Sequence, residues 1–298
     1  MNIESNFWES GDLLPAFRYS QSIIEHHAKS FSFASKFLPE PKRWGTYAVY
    51  NFCRYADNII DNPRKRSNDE LITELNELRR ELDTAYKYRE SEHPALKAFI
   101  ATAKVFGIPK SYADDLLNGV EMDLTISEYQ TFDELYVFCY RVASTVGLMM
   151  TYVLGFEGGQ TTLNYAEKLG IAMQLTNILR DVADDTKLGR LYLPKADLIK
   201  FGVDTQSIIN EDFTPELKIM MKFQVDRALK YYNESQIGIS MLDKESRFAI
   251  QSASKIYGEI LNKIIQNDYN PFLGRVYVTH NRKIQILFSE LIGRFVKK

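Results

Sequence analysis

Apolar residues recur three and four positions apart along most of the chain, and this helical spacing is the feature that most restricts its fold. One helix face, for example, carries Leu135, Phe138, Val142, Val146 and Met149. No stretch alternates apolar and polar residues over a length that would predict a β-strand. The sequence therefore predicts an all-α protein.

Proline and glycine divide this pattern into segments, because both residues are rare inside helices and common at their ends. The chain has 9 prolines and 15 glycines in 298 residues. Helices are predicted over residues 16–36, 42–61, 69–88, 94–106, 109–126, 131–154, 161–185, 215–242, 245–267 and 271–296. No repeat, low-complexity tract or long linker separates them, so residues 1–298 are expected to form a single domain.

The charge balance argues against a nucleic-acid partner. The chain has 37 Lys and Arg against 39 Asp and Glu, which gives a net charge of −2. This balance leaves no excess of positive charge to bind a phosphate backbone. Any anionic ligand must therefore be held by a local cluster of residues or by metal ions.

The N-terminus and the cysteines predict a cytoplasmic protein. The first twelve residues are polar and acidic, unlike a signal peptide, and no run approaches the ~20 apolar residues of a membrane span. Cys53 and Cys139 have neither metal-ligand spacing nor a disulfide framework, so both are expected to be buried thiols. Peripheral contact with a membrane stays open.

One helical segment is rich in small residues. The stretch Arg141–Gly147 places Ala, Ser, Thr and Gly in the interior of a predicted helix. Glycine there costs about 0.5–1 kcal/mol relative to alanine. We therefore expect another helix or a ligand to approach closely at this point.

Two pairs of aspartates have the spacing i and i+4: Asp57 with Asp61, and Asp181 with Asp185. Each pair shares one helix face, where like charges repel, and each lies near a helix C-terminus, where the dipole disfavours anions. A bound cation would offset both effects, and Mg²⁺ prefers carboxylate oxygens and often shares its ligands with phosphates. The alternative is that these acids are solvated or salt-bridged at helix ends.

The neighbours of the pairs favour a site for metal and diphosphate. Arg54 lies three residues before Asp57 and has a guanidinium group that binds phosphate oxygens bidentately. Gln174 and Asn177 extend the second acidic stripe as amides within an apolar helix, where buried amides need partners. The basic segment Lys187–Pro194 follows and could fold over a bound anion.

These motifs together resemble the squalene/phytoene synthase family. The resemblance covers most of the chain and is strongest around the two aspartate pairs. It rests on Ser30-Phe31-Ser32, Ala48-Val49-Tyr50, Cys53-Arg54, Met122-Asp123-Leu124, Tyr140-Arg141-Val142-Ala143, Gln174–Val182 and Gly189–Pro194. It implies the isoprenoid-synthase fold, a helical bundle around a central cavity.

The resemblance also implies roles for individual residues. Two or three Mg²⁺ ions, with Mn²⁺ as an alternative, would be held by Asp57, Asp61, Asn177, Asp181 and Asp185. The four aspartates and Tyr140 are the implied catalytic residues. The implied substrate contacts are Ser30, Phe31, Ser35, Tyr50, Arg54, Gln174, Asn177, Arg180, Arg190, Tyr257 and Arg275. One departure is Asp184, where the family commonly has Glu; the charge is kept and the reach is shorter.

The reaction implied by the resemblance joins two identical prenyl diphosphates head to head through a cyclopropyl diphosphate. Ser35 lies one turn after Phe31 on the same helix face and leaves room that a large aromatic residue would fill. A deep pocket favours two geranylgeranyl diphosphates and phytoene, a step of carotenoid biosynthesis. Coupling of farnesyl diphosphate to dehydrosqualene, presqualene diphosphate or squalene stays open, and only squalene formation would need NADPH.

Two other classes of function stay open. A non-catalytic relative could act as an assembly or binding protein, but such a relative would be expected to lose residues of the acidic pairs. A terpene cyclase would share the fold and the metals but would carry an Asn/Ser/Glu type of second motif. Two further acids, Glu121 and Asp123, are expected to lie at the surface or behind the site.

Overall fold

The computed structural model describes residues 6–61 and 65–296, apart from the side chains of residue 30 and residues 293–296. Within them, the regular structure is helical, with two isolated β-bridges. The helices are α1 (Leu13–His27), α2 (Lys29–Ser35), α3 (Glu40–Asp61), α4 (Asn68–Tyr88), α5 (Leu96–Phe106), α6 (Lys110–Thr125), α7 (Phe132–Cys139), α8 (Thr145–Leu154), α9 (Gln160–Lys187), α10 (Lys195–Phe201), α11 (Thr205–Ile209), α12 (Pro215–Ser240), α13 (Lys244–Gln266) and α14 (His280–Val296). The prediction of an all-α fold is confirmed.

Most predicted helices match the observed ones to within a few residues, but two predictions were wrong. The predicted helix 16–36 is broken at Ala28, whose φ and ψ of −129° and 58° are not helical, so α1 and α2 are separate. The predicted helix 271–296 begins only at His280. Asp268 and Tyr269 have positive φ, and the following segment lacks helical structure, so the chain reaches α14 by a long loop.

The predicted helix 131–154 is continuous but changes its winding in the middle. Tyr140–Ser144 form a π-helical stretch that joins α7 to α8. Two glycines of neighbouring helices fit against it. A Cβ on Gly119 would lie 2.7 Å from Cβ of Arg141, and one on Gly170 would lie 2.7 Å from the backbone N of Ser144. Neighbouring helices therefore approach this segment closely at Arg141 and Ser144, and π-helical stretches often occur at functional sites.

The core consists of two large apolar clusters. One is built from α3, α4, α5, α6 and α8, with the rings of Phe52 and Phe99 stacked at 4.3 Å. The other is built mainly from α7, α9, α12 and α13, with Leu175 and Met220 both buried. α3 packs in the first cluster and α9 in the second, so the two helices that carry the acidic pairs belong to different halves of the molecule.

One helical segment, Phe132–Leu154, is long and apolar enough to cross a membrane by length and composition alone. However, 56% of its most apolar window is buried inside the protein, as expected for a core helix. Cys53 and Cys139 are both free and buried, which confirms the prediction of buried thiols.

Candidate active site

The aspartates of both pairs lie in the last two turns of α3 and α9, and acids of both pairs lie near Asp123 of α6. Burial, followed by repulsion from Asp61, raises the pKa of Asp57 to about 7. Burial, followed by repulsion from Asp181, raises the pKa of Asp185 to about 7. The charge of Asp123 contributes to both shifts. A pKa raised this far shows that too little positive charge lies near these carboxylates to stabilise their ionised form. A bound cation would supply that charge.

Asp181 differs from the other acids because two arginines bind it. Its carboxylate accepts hydrogen bonds from Arg180 at 2.8 and 2.5 Å and from Arg275 at 2.8 and 3.1 Å. Although burial acts in the opposite direction, these two guanidinium groups hold the pKa of Asp181 below its ordinary value. Arg275 lies in the loop between α13 and α14, so this loop closes over the end of α9.

Arg54 faces the first pair from the same helix. Its Nη1 donates to Asp61 Oδ2 at 3.2 Å, while its Nε is buried and has no hydrogen-bond partner among the described residues. A buried guanidinium nitrogen without a partner is costly. Its unused donor therefore fits an anionic ligand such as a phosphate oxygen.

The amide side chains Gln174 and Asn177 of α9 also leave one buried polar atom without a partner among the described residues. Asn177 donates from Nδ2 to Gln174 Oε1 at 3.1 Å. Asn177 Oδ1, in contrast, is buried and has no partner among the residues that the structure describes. An amide oxygen one turn before Asp181 is a suitable ligand for Mg²⁺.

The turn after α9 folds the basic segment back onto the site. The backbone N–H of Arg190 donates to the carbonyl of Asp185 at 2.9 Å, and Gly189 provides the positive φ of 77° that this tight turn requires. Arg190 Nη1 then lies 3.0 Å from Asp123 Oδ2, and the Tyr192 hydroxyl donates to the same carboxylate. The segment therefore folds back onto Asp185 and Asp123, while its closure over a bound anion stays a prediction.

Asp123 is the functional candidate that the sequence analysis underestimated. It lies near the end of α6, its side chain is only 17% exposed, and it interacts electrostatically with acids of both pairs. Burial raises its pKa, although Tyr192 and Arg190 oppose the shift. The signal was present, because Asp123 belongs to one of the motifs that carried the resemblance, but no spacing rule connects α6 with α3 or α9.

The acidic residues fit Mg²⁺ only in combination with other ligands. Among the described residues, no three His, Cys, Asp or Glu side chains are close enough to hold one metal ion by themselves. Mg²⁺ usually binds through one or two carboxylates, several waters and substrate phosphates. The paired aspartates, the free oxygen of Asn177 and the surrounding arginines match this pattern.

The apolar end of the site lies beside α2. Phe31 and Ser35, one turn apart, line a small apolar cavity. Its other lining residues are Ala34, Leu38, Thr46, Met150, Leu154, Ala249 and Ile250. The rings of Phe31 and Tyr50 lie 6.5 Å apart, and burial raises the pKa of Tyr50 to about 12, so Tyr50 stays neutral between this cavity and Asp57.

The remaining predicted residues differ in how the structure places them. Tyr257 lies close enough to Arg180, next to the second acidic pair, to help raise the pKa of that guanidinium group. The hydroxyl of Tyr140 lies 3.4 Å from Asp115 on α6, and no contact joins it to the aspartate pairs. The side chain of Ser30 lies outside the described residues. His27, at the end of α1, is exposed, and desolvation together with the charge of Arg54 lowers its pKa.

Comparisons with known proteins identify the family. The family model for squalene/phytoene synthase matches residues 24–282. The 15-cis-phytoene synthase of Synechococcus elongatus is 34% identical over 283 residues, which are 91% of this chain and 91% of that protein. Phytoene synthase 1, chloroplastic, of Solanum lycopersicum is 35% identical over 281 residues, covering 92% of this chain and 67% of the relative.

Solved structures lead to the same family. A dehydrosqualene synthase in complex with a ligand superposes with a TM-score of 0.87 at 32% identity, over 98% of this chain and 99% of that one. A squalene synthase from Alicyclobacillus acidocaldarius superposes with a TM-score of 0.81 at 26% identity, over 90% and 100% of the two chains. With its two aspartate pairs in place, this chain is a prenyltransferase of the squalene/phytoene synthase family.

Proposed function

We infer that this enzyme condenses two molecules of geranylgeranyl diphosphate head to head, through a cyclopropyl diphosphate, to phytoene. The observation that carries this proposal is the group of acids at the ends of α3 and α9, whose partly buried members Asp57 and Asp185 both lie near Asp123, together with the apolar cavity at Ser35. The names of the curated relatives support the C20 substrate. In the overall reaction, two diphosphate groups and two protons leave, and two C20 chains become one C40 hydrocarbon.

The proposed metal ligands are the four aspartates and Asn177. Asp57 and Asp185 hold protons up to a pH of about 7 without a cation, and Asn177 offers an oxygen with no partner among the described residues. Mg²⁺, when bound, supplies Lewis-acid stabilisation for the charge that develops on a departing diphosphate. Mn²⁺, which also accepts oxygen ligands, is the expected substitute.

The arginines are proposed to bind the diphosphate groups. Arg54 has an unused buried donor, and Arg180 and Arg275 share one carboxylate, Asp181. A diphosphate can therefore replace part of these contacts without leaving a charge unpaired. Arg190 is held in place by Asp123 and would contact phosphate oxygens from the turn after α9. These donors are fixed before substrate binds, which is how a site stabilises developing negative charge at low reorganisation cost.

The apolar part of the site is proposed to bind the prenyl chains and to exclude water from the allylic carbocations. Phe31 lines the cavity at Ser35, and its ring lies 6.5 Å from that of Tyr50, which in turn lies near Asp57. An aromatic face stabilises a nearby cation by about 0.5–2 kcal/mol. The hydroxyl of Tyr140 contacts Asp115 rather than the aspartate pairs. The catalytic role of Tyr140 therefore stays a prediction.

Product analysis tests the proposal. The purified protein is incubated with Mg²⁺ and either geranylgeranyl or farnesyl diphosphate, with and without NADPH, and the hydrocarbon is identified by mass and ultraviolet spectrum. We expect phytoene from geranylgeranyl diphosphate without NADPH. Dehydrosqualene as the main product would shift the assignment to C15 coupling, and squalene only with NADPH would make the enzyme a squalene synthase. Absence of any condensation product would contradict the proposal.

A further inference from the structure

Lys42, in the first turn of α3, is a buried cation that the proposed reaction does not use. Its side chain is 4% exposed, and lysine is almost never buried this fully unless it is paired. Its Nζ donates to the carbonyl of Leu154 and to Oδ2 of Asp243, both at 2.7 Å, and to Oγ of Ser246 at 3.4 Å. It also lies 2.9 Å from Oε1 of Glu245. We call these five residues the Lys42 network.

The Lys42 network joins three parts of the chain that are far apart in sequence. Leu154 ends α8, Asp243 lies in the turn between α12 and α13, and Lys42 belongs to α3. Ser246 Oγ donates to the same Leu154 carbonyl at 2.6 Å, and the N–H of Asp243 donates to the carbonyl of Gly155 at 2.9 Å. A Cβ on Gly155 would collide with the Asp243 carboxylate. The end of α8 is therefore fixed tightly against the start of α13.

The apolar cavity lies directly against this network. Leu154 lines the cavity, and so does Thr46, which lies one turn after Lys42 on α3. On α13 the cavity is lined by Ala249, which lies one turn after Ser246. Each of the three helices in the network therefore supplies a wall residue that belongs to the network or lies one turn from it. The network supports the wall of the cavity from behind.

This wall is well separated from the acidic residues along α3. Thr46 and Asp57 are eleven residues apart, which is about three turns, so they share one helix face and lie about 16 Å apart along the axis. The inference below rests on the proposed function, in which diphosphate binds at the acids and the prenyl chain enters the cavity. The wall at Leu154 and Thr46 would then meet the end of the chain that is far from the diphosphate.

We propose that the Lys42 network sets the longest prenyl chain that the enzyme accepts. Lys42 lies behind the wall and not in the cavity, so it is a positioning residue that acts through the backbone of Leu154. Fully paired buried polar groups make the structure around them rigid. This network cannot open without leaving a buried ammonium group or carbonyl unpaired, and such losses are costly. A chain one isoprene unit too long is therefore rejected, because the wall cannot retreat to admit it.

Two variants weaken the network in different ways. Lys42→Met removes the ammonium group and keeps an apolar side chain of similar length. The carboxylates that it leaves, Asp243 and Glu245, are 51% and 55% exposed and can be solvated by water, and the Leu154 carbonyl keeps its bond from Ser246. Ser246→Ala removes that second bond and leaves every charge pair in place, so it decides the question alone if Lys42→Met does not fold.

The matched control is Lys110→Met. Lys110 joins Asp83 of α4 to Asp114 of α6 and does not line the cavity, so its loss should affect stability without affecting the wall. For each protein, kcat/KM is measured with farnesyl, geranylgeranyl and geranylfarnesyl diphosphate. Dissociation constants are measured for the matching thiolodiphosphates, which bind without reacting, and Tm reports stability.

We expect the preference for the C25 over the C20 chain to rise at least about tenfold in Lys42→Met, in both kcat/KM and binding. Ser246→Ala should show a smaller rise, and Lys110→Met should lower Tm with no change in preference. An unchanged or lower preference for C25 in the folded test variants, or an equal rise in Lys110→Met, would overturn the proposal. Failure of the proposed function would look different: the unchanged protein would form no condensation product from any of the three substrates, while thiolodiphosphate binding would still test the network.

Discussion

Arg275 and Asp181 are 94 residues apart in the sequence and are joined by two hydrogen bonds, Nε to Oδ1 at 2.8 Å and Nη2 to Oδ2 at 3.1 Å. Arg180 binds the same carboxylate, so Asp181 has two cationic partners. Among the described residues, no hydrogen bond or ion pair reaches the carboxylate of Asp57 or Asp185. The second pair is therefore asymmetric: two guanidinium groups bind Asp181, whereas the carboxylate of Asp185 has no hydrogen bond or ion pair among the described residues.

Replacing Arg275 by lysine should weaken substrate binding more than it changes the chemical step. Lysine keeps the charge but loses the two parallel hydrogen bonds of the guanidinium group. We expect KM for the prenyl diphosphate to rise about tenfold, with a smaller change in kcat. Steady-state kinetics of Arg275→Lys check this, with Arg247→Lys, an arginine of α13 outside the site, as the control. A lower kcat at unchanged KM would contradict the role in binding.

Replacing Asp57 or Asp185 by asparagine should remove activity without unfolding the protein. Burial and neighbouring acids disfavour the ionised form of both carboxylates, so a neutral amide should leave the metal-free protein as stable or more stable. The metal, in contrast, would lose a charged ligand. We expect kcat to fall by at least about a thousandfold. The control is Asp226→Asn, an exposed acid of α12 paired with Lys222. Near-normal turnover of either variant would contradict the metal assignment.

Asp123→Asn should reduce the rate by positioning Arg190 less well. Asparagine of the same size cannot give Arg190 and Tyr192 a charged acceptor, and such hydrogen bonds contribute about 1.5–3 kcal/mol each. We expect kcat to fall about tenfold to a hundredfold, and Tyr192→Phe to have a smaller effect because it removes one of the two contacts. The Mg²⁺ concentration for half-maximal rate separates the alternatives: it stays constant if Asp123 acts through Arg190 and rises if Asp123 binds metal.

Much of the fold and part of the site could be predicted from periodicity alone. The spacing i and i+4 placed Asp57 with Asp61 and Asp181 with Asp185, because a helix fixes that geometry locally. The break at Ala28 had no glycine or proline to mark it. The sequence did not predict the loop before His280, because Asn270-Pro271 fits the start of a helix. This loop brings Arg275 to Asp181. Contacts between helices, such as those of Asp123, depend on packing that no spacing rule encodes.

Magnesium should stabilise the protein more at pH 8 than at pH 6. The pKa values of Asp57 and Asp185 are about 7 in the folded protein and near 3.8 in an unfolded chain. Between these values the folded state binds more protons, so these two groups make the free energy of unfolding fall as pH rises toward 7. Above pH 7 both are ionised, and Mg²⁺ both relieves their repulsion and meets no competition from protons. Thermal unfolding at both pH values, with and without Mg²⁺, measures the difference.

The same melts on Asp57→Asn provide the check. This variant lacks one of the two titrating groups, so its stability without metal should depend less on pH, and Mg²⁺ should raise its Tm less than that of the unchanged protein. An equal rise in Tm at pH 6 and pH 8 in the unchanged protein would show that metal binding is not linked to these two carboxylates.

Ser35→Phe should shorten the substrate that the enzyme accepts. Ser35 is buried, lines the apolar cavity with Phe31 and Ala249, and donates a hydrogen bond to the Ser32 carbonyl at 2.7 Å. A phenyl ring would occupy space that the end of a C20 chain needs, whereas a C15 chain ends earlier. We expect kcat/KM for geranylgeranyl diphosphate to fall at least about tenfold relative to farnesyl diphosphate, since misfitting apolar groups cost about 1–3 kcal/mol. Ser35→Ala is the matched control, because it removes the hydroxyl and its hydrogen bond but keeps the space; it should leave the substrate preference unchanged. If Ser35→Ala shifted the preference as much as Ser35→Phe, the hydroxyl rather than the volume at this position would select the chain length.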